Sequence, residues 1–419
     1  MIDVDLAIVG AGPAGASAAL AARFADPGLS VALVDRQEFP RDKACGDGVA
    51  PHVLDLLATV GVTGILDDRV PVDRLRLTRH DVTVDRRMAR PAYVVPRQVL
   101  DARLVEAARG AGAVVIRHQV RTLTDNEDGV VLDDALRARV VVGADGAHSR
   151  LRRALGLPAG RVALALRGYA PTPAARAGAQ MIAFGTRNRP SYAWSFDRGD
   201  GLSNIGYGEL IRADAPRPTR VQLLERLEAL LPGATNDADA WRGHQLPLSG
   251  WRALLPGRGR VLLAGDAAGL LNPLTGEGIY YAVATGMLAG RTAVEAVGTG
   301  SAPQAGTAYT HLARRLLGSN LRHTALASWL SARGRILDAG LRVSARDQRV
   351  FDDVVELGLA KGRITPGLAV GLAAGMVTDA VTDVVTEAER RGLAPRALTG
   401  RTRGHRRFGA NGIEQTQER

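Results

Sequence analysis

The chain has one cysteine, Cys45, in 419 residues. That excludes an intramolecular disulfide and a cysteine-built metal site. Its eight histidines are scattered, none in an H-E-x-x-H or comparable spacing, so no metal is expected. No apolar run approaches the roughly 18 to 20 uninterrupted residues that a membrane-spanning helix requires. The start Met1-Ile-Asp-Val-Asp5 lacks the positive region of a signal peptide. A cytoplasmic location is expected, with contact at a membrane periphery left open. No internal repeat is visible, and aromatics make up only 4% of the chain. The net charge of +11 comes mostly from dispersed arginine. It fits a solvated surface, or a preference for anionic partners such as diphosphates or a membrane. Nucleic acid is not expected, because only the region from Arg396 to Arg407 is dense in arginine and it lacks interleaved aromatics.

What is present begins at once. Leu6 to Val9 reads as a buried parallel strand, and Ala16 to Ala25 as a helix of small residues. Between them stands Gly10-Ala-Gly12-Pro13-Ala14-Gly15. Gly10 permits the tight turn, Gly12 lets backbone approach a pyrophosphate, and Gly15 lets helix and strand pack closely. The helix start at Pro13 and Ala14 then offers free N–H groups to phosphate. A second strand, Val31 to Val34, ends in Asp35, placed to hold ribose hydroxyls, and is followed by Arg36. Together these features predict a dinucleotide site.

The segment from Phe39 to Pro51 carries charges, glycines and prolines and reads as a loop that runs along the dinucleotide. From Val72 to Val95 apolar and polar residues alternate, as in half-buried antiparallel strands. A helix opens at Arg97, and a buried strand from Val140 ends in Asp145-Gly146. Residues 161 to 255 read mainly as strands, with a helix near Val221 to Leu231. Tyr192, Trp194 and Phe196 alternate there and so share one strand face. That face lines a pocket or packs on a helix. A third buried strand from Val261 enters Gly265-Asp266 and a glycine-rich loop through Gly276, Glu277, Gly278 and Ile279, which starts another small-residue helix. Helices are expected at Ala308 to Leu317, Leu321 to Leu341, Asp347 to Leu359 and Leu368 to Glu389, with a flexible basic tail at 401–419.

Three nucleotide-type segments interrupted twice by a mixed sheet resemble the flavoprotein fold of aromatic hydroxylases. The resemblance rests on Gly10, Gly12 and Gly15 with Asp35, on Asp145-Gly146 and on Gly265-Asp266. It implies an α/β chain: a Rossmann-like FAD-binding domain (1–71, 96–160 and 256–300) interleaved with a mixed β-sheet substrate domain (72–95 and 161–255), plus a C-terminal helical region (301–400). It further implies that Asp266 meets the ribityl chain, that Arg97 contacts the cofactor and that Val120 offers backbone to the adenine. The helix after Gly276 would point its N-terminus at the flavin, where negative charge develops on reduction.

Within that fold, Pro40-x-x-Lys43-x-Cys45-Gly46 together with Tyr192-x-Trp194-x-Phe196 is similar to the geranylgeranyl reductase family over about residues 4 to 300. The family's aromatic motif continues into proline, where this chain has Asp197. The resemblance implies hydrogenation of isolated prenyl C=C bonds by reduced FAD, with NAD(P)H or another reductant as electron donor. The substrate would be a hydrophobic small molecule: a diphosphate, a lipid or a quinone. Such an alkene is a poor hydride acceptor, so proton delivery must lead or accompany the hydride in a dry, shaped channel. Tyr192 and Trp194, with Phe196, would wall it. Cys45 would sit near the flavin, its other reading being a small buried hydrophobe. His52, Lys43 and Glu277 are secondary candidates. The FAD scaffold alone also allows a monooxygenase or halogenase, although the Trp-x-Trp-x-x-Pro element usual in flavin halogenases is absent.

Overall fold

In the computed structural model, the strand Ile2–Val9 is central to a sheet, pairing in parallel with Val31–Asp35 on one side and Leu136–Gly143 on the other. Leu6 through Val9 are buried without alternation, as a strand covered on both faces must be. At the strand's end Gly10 takes φ +101°, and a Cβ there would strike the Ala144 carbonyl oxygen at 2.3 Å. Only glycine meets both demands. The chain then enters the helix Pro13–Ala25, with proline in its first turn and no side chain capping its N-terminus.

The structure describes residues 1–158, 160–186, 190–211, 214–250 and 256–373. All lie within the unit Met1–Met376. The part of the last expected helix beyond residue 373, and the basic tail, lie outside the described residues.

The first sheet runs in the order Gly257–Arg258, Val261–Leu263, Leu136–Gly143, Ile2–Val9, Val31–Asp35, Val114–Arg117, with a hairpin of Leu123–Asn126 and Gly129–Leu132 attached to Leu136–Gly143. Segments far apart in sequence thus form one nucleotide-type sheet. The small-residue helix Ile279–Gly298 lies directly on Pro13–Ala25. A Cβ on Gly286 would sit 2.1 Å from the Ala14 carbonyl oxygen, and one on Gly290 would sit 2.2 Å from that of Ala18. The two backbones touch because side chains are missing between them.

The second sheet is mixed, in the order Asp239–Leu248, Arg161–Pro171, Leu202–Leu210, Ser191–Asp197, Ala179–Phe184, Pro71–Arg79, Val82–Val94, Gly48–Val49. One face is covered by the capped helix Arg220–Leu230, whose Leu223 and Leu227 pack on Leu166, Ile205 and Tyr207. The other face looks into a cavity. Gly48–Val49 falls in a segment expected to belong to the nucleotide domain, yet it pairs with Tyr93 and Val94 of this sheet. A two-residue strand is too short to leave a hydrophobic period.

The C-terminal helices differ from expectation in their breaks. Ala305–Ser331 is one helix running through Gly318, and a new one, Gly334–Arg346, follows before Gln348–Leu359. Gly318 is tolerated inside the helix at a cost of about 1 kcal/mol. Gly334 begins the next helix against Arg79, whose guanidinium would lie 2.6 Å from a Cβ there. Among the described residues no helix is long and apolar enough to cross a membrane, and no cluster of three potential metal ligands forms.

The helix contact generates a stability test. Gly290→Ala places a methyl against backbone and is expected to destabilise the chain by about 1–3 kcal/mol. Gly318→Ala, where nothing lies within 4 Å, is expected to stabilise by up to about 1 kcal/mol. Urea unfolding measures both; equal effects would contradict this account of the contact.

Candidate functional site

A cavity of about 1000 Å³ runs between the two sheets, from the Gly10 loop to the C-terminal helices. At one end, Gly10, Gly12, Pro13 and Ala14 line it beside Asp35, Arg36, Val120, Asp145 and Gly146. A Cβ on Gly12 would point between Arg41 Nη2, at 3.4 Å, and Arg97 Nη2, at 3.7 Å. Those two guanidiniums are held by one buried carboxylate: Arg97 donates to Asp101 at 2.6 and 2.8 Å, and Arg41 pairs with it at 3.2 Å. The uncapped helix start and two fixed arginines form a cradle for a phosphate. Asp35 accepts from the Ala11 and Gln37 amides at 2.8 and 2.9 Å, which turns its carboxylate along the loop. Asp145 caps the next helix through Oδ2, while its buried Oδ1 has no partner among the described residues. The open cradle and this orphaned acceptor fit a dinucleotide.

Further along, the Cys45 loop meets the aromatic strand. A Cβ on Gly46 would lie 3.5 Å from the Phe196 ring and 3.7 Å from Trp194 Nε1. Tyr192, Trp194 and Phe196 all line the cavity, with ring centroids 5.9 and 6.4 Å apart along the strand. Trp194 lies flat across the neighbouring strand because Gly206 carries no side chain; a Cβ there would be 2.2 Å from the indole. Its Nε1 donates to Asn204 Oδ1 at 2.8 Å. The same amide donates through Nδ2 to the Cys45 carbonyl and to Asp47 Oδ2, each at 2.8 Å. Tyr169 donates to that Asp47 oxygen at 2.6 Å.

Opposite this wall is the loop before Ile279–Gly298. Gly276 lies against Tyr192, whose hydroxyl donates to the Thr275 carbonyl. Lys43 donates to Asp266 Oδ2 at 3.0 Å. Burial raises the Asp266 carboxyl, but Lys43 together with His244 and Arg97 outweighs it and holds the acid below its ordinary range. Burial, reinforced by Lys43, pushes His244 down to about 4, so it is neutral at pH 7. Burial lifts Glu277 to about 7 against the backbone N–H groups of Tyr280, Ile279 and Gly278. It lifts the Cys45 thiol to about 11 against the pull of Arg97. Cys45 is therefore a thiol, not a thiolate, at neutral pH.

The far arm of the cavity is apolar. Leu77, Ile182 and Phe184 of the sheet face Leu337 and Leu341 of Gly334–Arg346 and Val355 of Gln348–Leu359. The C-terminal helices, which no sequence motif places, thus roof this arm.

Of the residues singled out from sequence, the cavity brings together Gly10, Gly12, Pro13, Ala14, Asp35, Arg36, Lys43, Cys45, Gly46, Arg97, Val120, Asp145, Gly146, Tyr192, Trp194, Asp266, Gly276, Glu277, Gly278 and Ile279. Gly15 and Gly265 are not in its lining. Gly15 packs on the Gly10 carbonyl, where a Cβ would come within 1.8 Å, and Gly265 packs against Ala282 and Ala14. His52 also stands apart, paired with Glu356 at 3.2 Å. Sequence reasoning missed Arg41, Asp47, Asp101, Tyr169 and Asn204. The available signal was Asn204, a lone amide that opposes Phe196 in register.

Comparison with known proteins identifies the family. The FAD binding domain family matches residues 3–321. A menaquinone reductase of Mycolicibacterium smegmatis is 36% identical over 315 residues, covering 68% of this chain and 75% of that protein. Digeranylgeranylglycerophospholipid reductase 1 of Methanopyrus kandleri is 32% identical over 328 residues, covering 71% and 82%. A crystal structure of a geranylgeranyl bacteriochlorophyll reductase-like protein from Thermoplasma acidophilum superposes with a TM-score of 0.73 at 21% identity, over 93% of this chain and 99% of that one.

Asp47 supplies a pH test. Burial raises its carboxyl to about 6, despite the hydrogen bonds from Tyr169 and Asn204. The folded chain therefore holds this proton more tightly than the unfolded one, and the resulting stability is present below about pH 4 and lost as pH rises through about 6. Asp47→Asn is expected to be more stable than the parent above pH 6, with the gap shrinking as pH falls towards 4. A gap independent of pH in thermal melts would contradict the assignment.

Proposed function

The chain belongs to the geranylgeranyl reductase family of FAD-dependent oxidoreductases, and from that premise we propose that it saturates isolated C=C bonds in the prenyl chain of a hydrophobic small molecule. The observation that carries this reading is the continuity of one cavity. A phosphate cradle opens one end, an apolar arm forms the other, and the Cys45 loop and the aromatic strand meet between them.

The residues present fit FAD along that cavity. Gly12 to Ala14 with Arg41 and Arg97 would hold the pyrophosphate, Asp35 a ribose and Val120 the adenine. Asp266 would meet the ribityl chain, Asp145 would serve the nucleotide end, and Gly276, Gly278 and Ile279 would hold the ring end. Bound and reduced by NAD(P)H or another donor, FAD supplies the hydride. The chain's own residues do the rest. Trp194 and Phe196 hold the alkene flat and exclude water. Lys43 keeps Asp266 ionised and oriented. Glu277, lifted by burial to about 7, is about half protonated at neutral pH and can hand a proton into the cavity. It is the stronger acid beside Cys45, whose thiol releases its proton only near pH 11.

The arm's outer end supports peripheral membrane contact as the route of entry. Leu330, Ser331 and Gly334 line it, and next to them Trp329 is 53% exposed with the Arg333 guanidinium 3.8 Å over its ring. An amphipathic aromatic beside a cation suits the level of lipid headgroups.

Anaerobic incubation of the dithionite-reduced, FAD-loaded chain with geranylgeranyl diphosphate, a geranylgeranylated lipid and menaquinone tests the reading. At least one is expected to yield products heavier by pairs of hydrogens. Oxygen-dependent NAD(P)H consumption with an oxygenated product, and no anaerobic turnover, would point to an oxygenase instead.

A further inference from the structure

The apolar arm contains a donor without a partner. Gln180 lies on the cavity face of the second sheet, in register between Leu75 and Phe196. It lines the cavity, is only 5% exposed, and its Nε2 has no hydrogen-bond partner among the described residues. Leaving a buried amide donor unpaired is costly, and the cost is relieved when a ligand oxygen occupies the vacant direction.

The charges near it narrow what that ligand is. The lining cation on the strand next to Gln180 is already matched. Arg79 is bound to Asp338 and to the Gly185 and Gly334 carbonyls. Arg167 and Arg242 share the one carboxylate of Asp42, on strands separated from that of Gln180 by at least two others, and Lys43 is bound to Asp266. The remaining lining arginines, Arg36, Arg41, Arg97 and Arg150, belong to the nucleotide end beside Asp35, Asp101 and Asp145. A diphosphate buried beside Gln180 would bring several negative charges with no unmatched lining cation on the strands beside it. A neutral carbonyl brings only the acceptor that Nε2 lacks.

Resting on the prenyl-reductase reading, we infer that Gln180 seats an uncharged, carbonyl-bearing head group of the substrate, a quinone or an ester, and that the arm selects against prenyl diphosphates. Gln180 is then a specificity-determining residue, set beside the aromatic wall by its register with Phe196.

Saturated ligands, which cannot turn over, separate recognition from chemistry. The FAD-loaded full chain is titrated with a phytanyl naphthoquinone, a phytanyl ester, phytanol and phytanyl diphosphate, and binding is read by fluorescence quenching. The quinone and the ester are expected to bind at least about tenfold tighter than the diphosphate; the two arms show which carbonyl source fits better. Gln180→Leu is expected to weaken the carbonyl ligands by about 3- to 10-fold, and phytanol by less. Gln180→Met, closer in shape, gives the same pattern if the leucine variant folds poorly. Tightest binding of the diphosphate would overturn the inference. So would variants that weaken all ligands and FAD by one common factor, because Gln180 would then act on the cofactor or the fold. If prenyl substrates are reduced anaerobically but the diphosphate is preferred, the reductase reading stands and this inference falls. If none is reduced, the reading itself falls.

Discussion

The side chain of Asn204 takes the indole N–H of Trp194 on its oxygen and gives its own protons to the Cys45 carbonyl and the Asp47 carboxylate. Asn204 is fully buried; without it the indole N–H and the Cys45 carbonyl would lose this partner and Asp47 Oδ2 would keep only Tyr169. Such networks count for more than separate pairs because every member depends on the others being satisfied. Here the dependence is also spatial. Cys45 and Asp47 belong to a loop that leaves the nucleotide sheet, and Trp194 belongs to the substrate sheet. One amide sets the distance between the cofactor's side of the cavity and the wall that faces it.

The cofactor end is built by the opposite means, the removal of side chains. Gly10 and Gly15 let strand, turn and helix close on one another, and Gly286 and Gly290 let a second helix rest on the first. The result is an uncapped helix start held rigidly beside two arginines on a shared aspartate. Preorganised donors of this kind bind phosphate without reorganising. Among the described residues, the far arm offers only the Gln180 amide as an unpaired buried donor. Its Arg79 is tied to Asp338, and its surface is mostly leucine, isoleucine and phenylalanine. The contrast gives the cavity a direction, from a cationic end to an apolar one.

The nucleotide half was legible in sequence because its logic is local. A buried apolar strand that ends in Gly10 or in Asp145-Gly146 announces a βα turn whatever the rest of the chain does. The aromatic strand was legible through its period of two, which puts Tyr192, Trp194 and Phe196 on one face. What lay beyond reach depends on partners distant in sequence. Asn204 matters because its partners lie on a loop 157 to 159 residues away. Arg41 and Arg97 converge only because Asp101 is buried between them. The break between the C-terminal helices falls at Gly334, where Arg79 approaches from a strand 255 residues earlier, while Gly318, an equal breaker by propensity, is passed through. In each case a tertiary contact overrides or supplies what local preference cannot specify.

The central claim is that the two halves of the cavity are separate in binding and joined in function by Asn204. Asn204→Leu tests it most directly, with FAD affinity and the rate of anaerobic reoxidation of the reduced protein by a prenyl substrate measured on the same preparation. The account predicts FAD binding within about threefold of the parent, since the cradle at Gly12 makes no contact with this amide, and reoxidation slowed by about 100-fold or more, in the range lost when a positioning contact fails. Reoxidation at the parent rate, or loss of FAD binding in step with loss of rate, would contradict it.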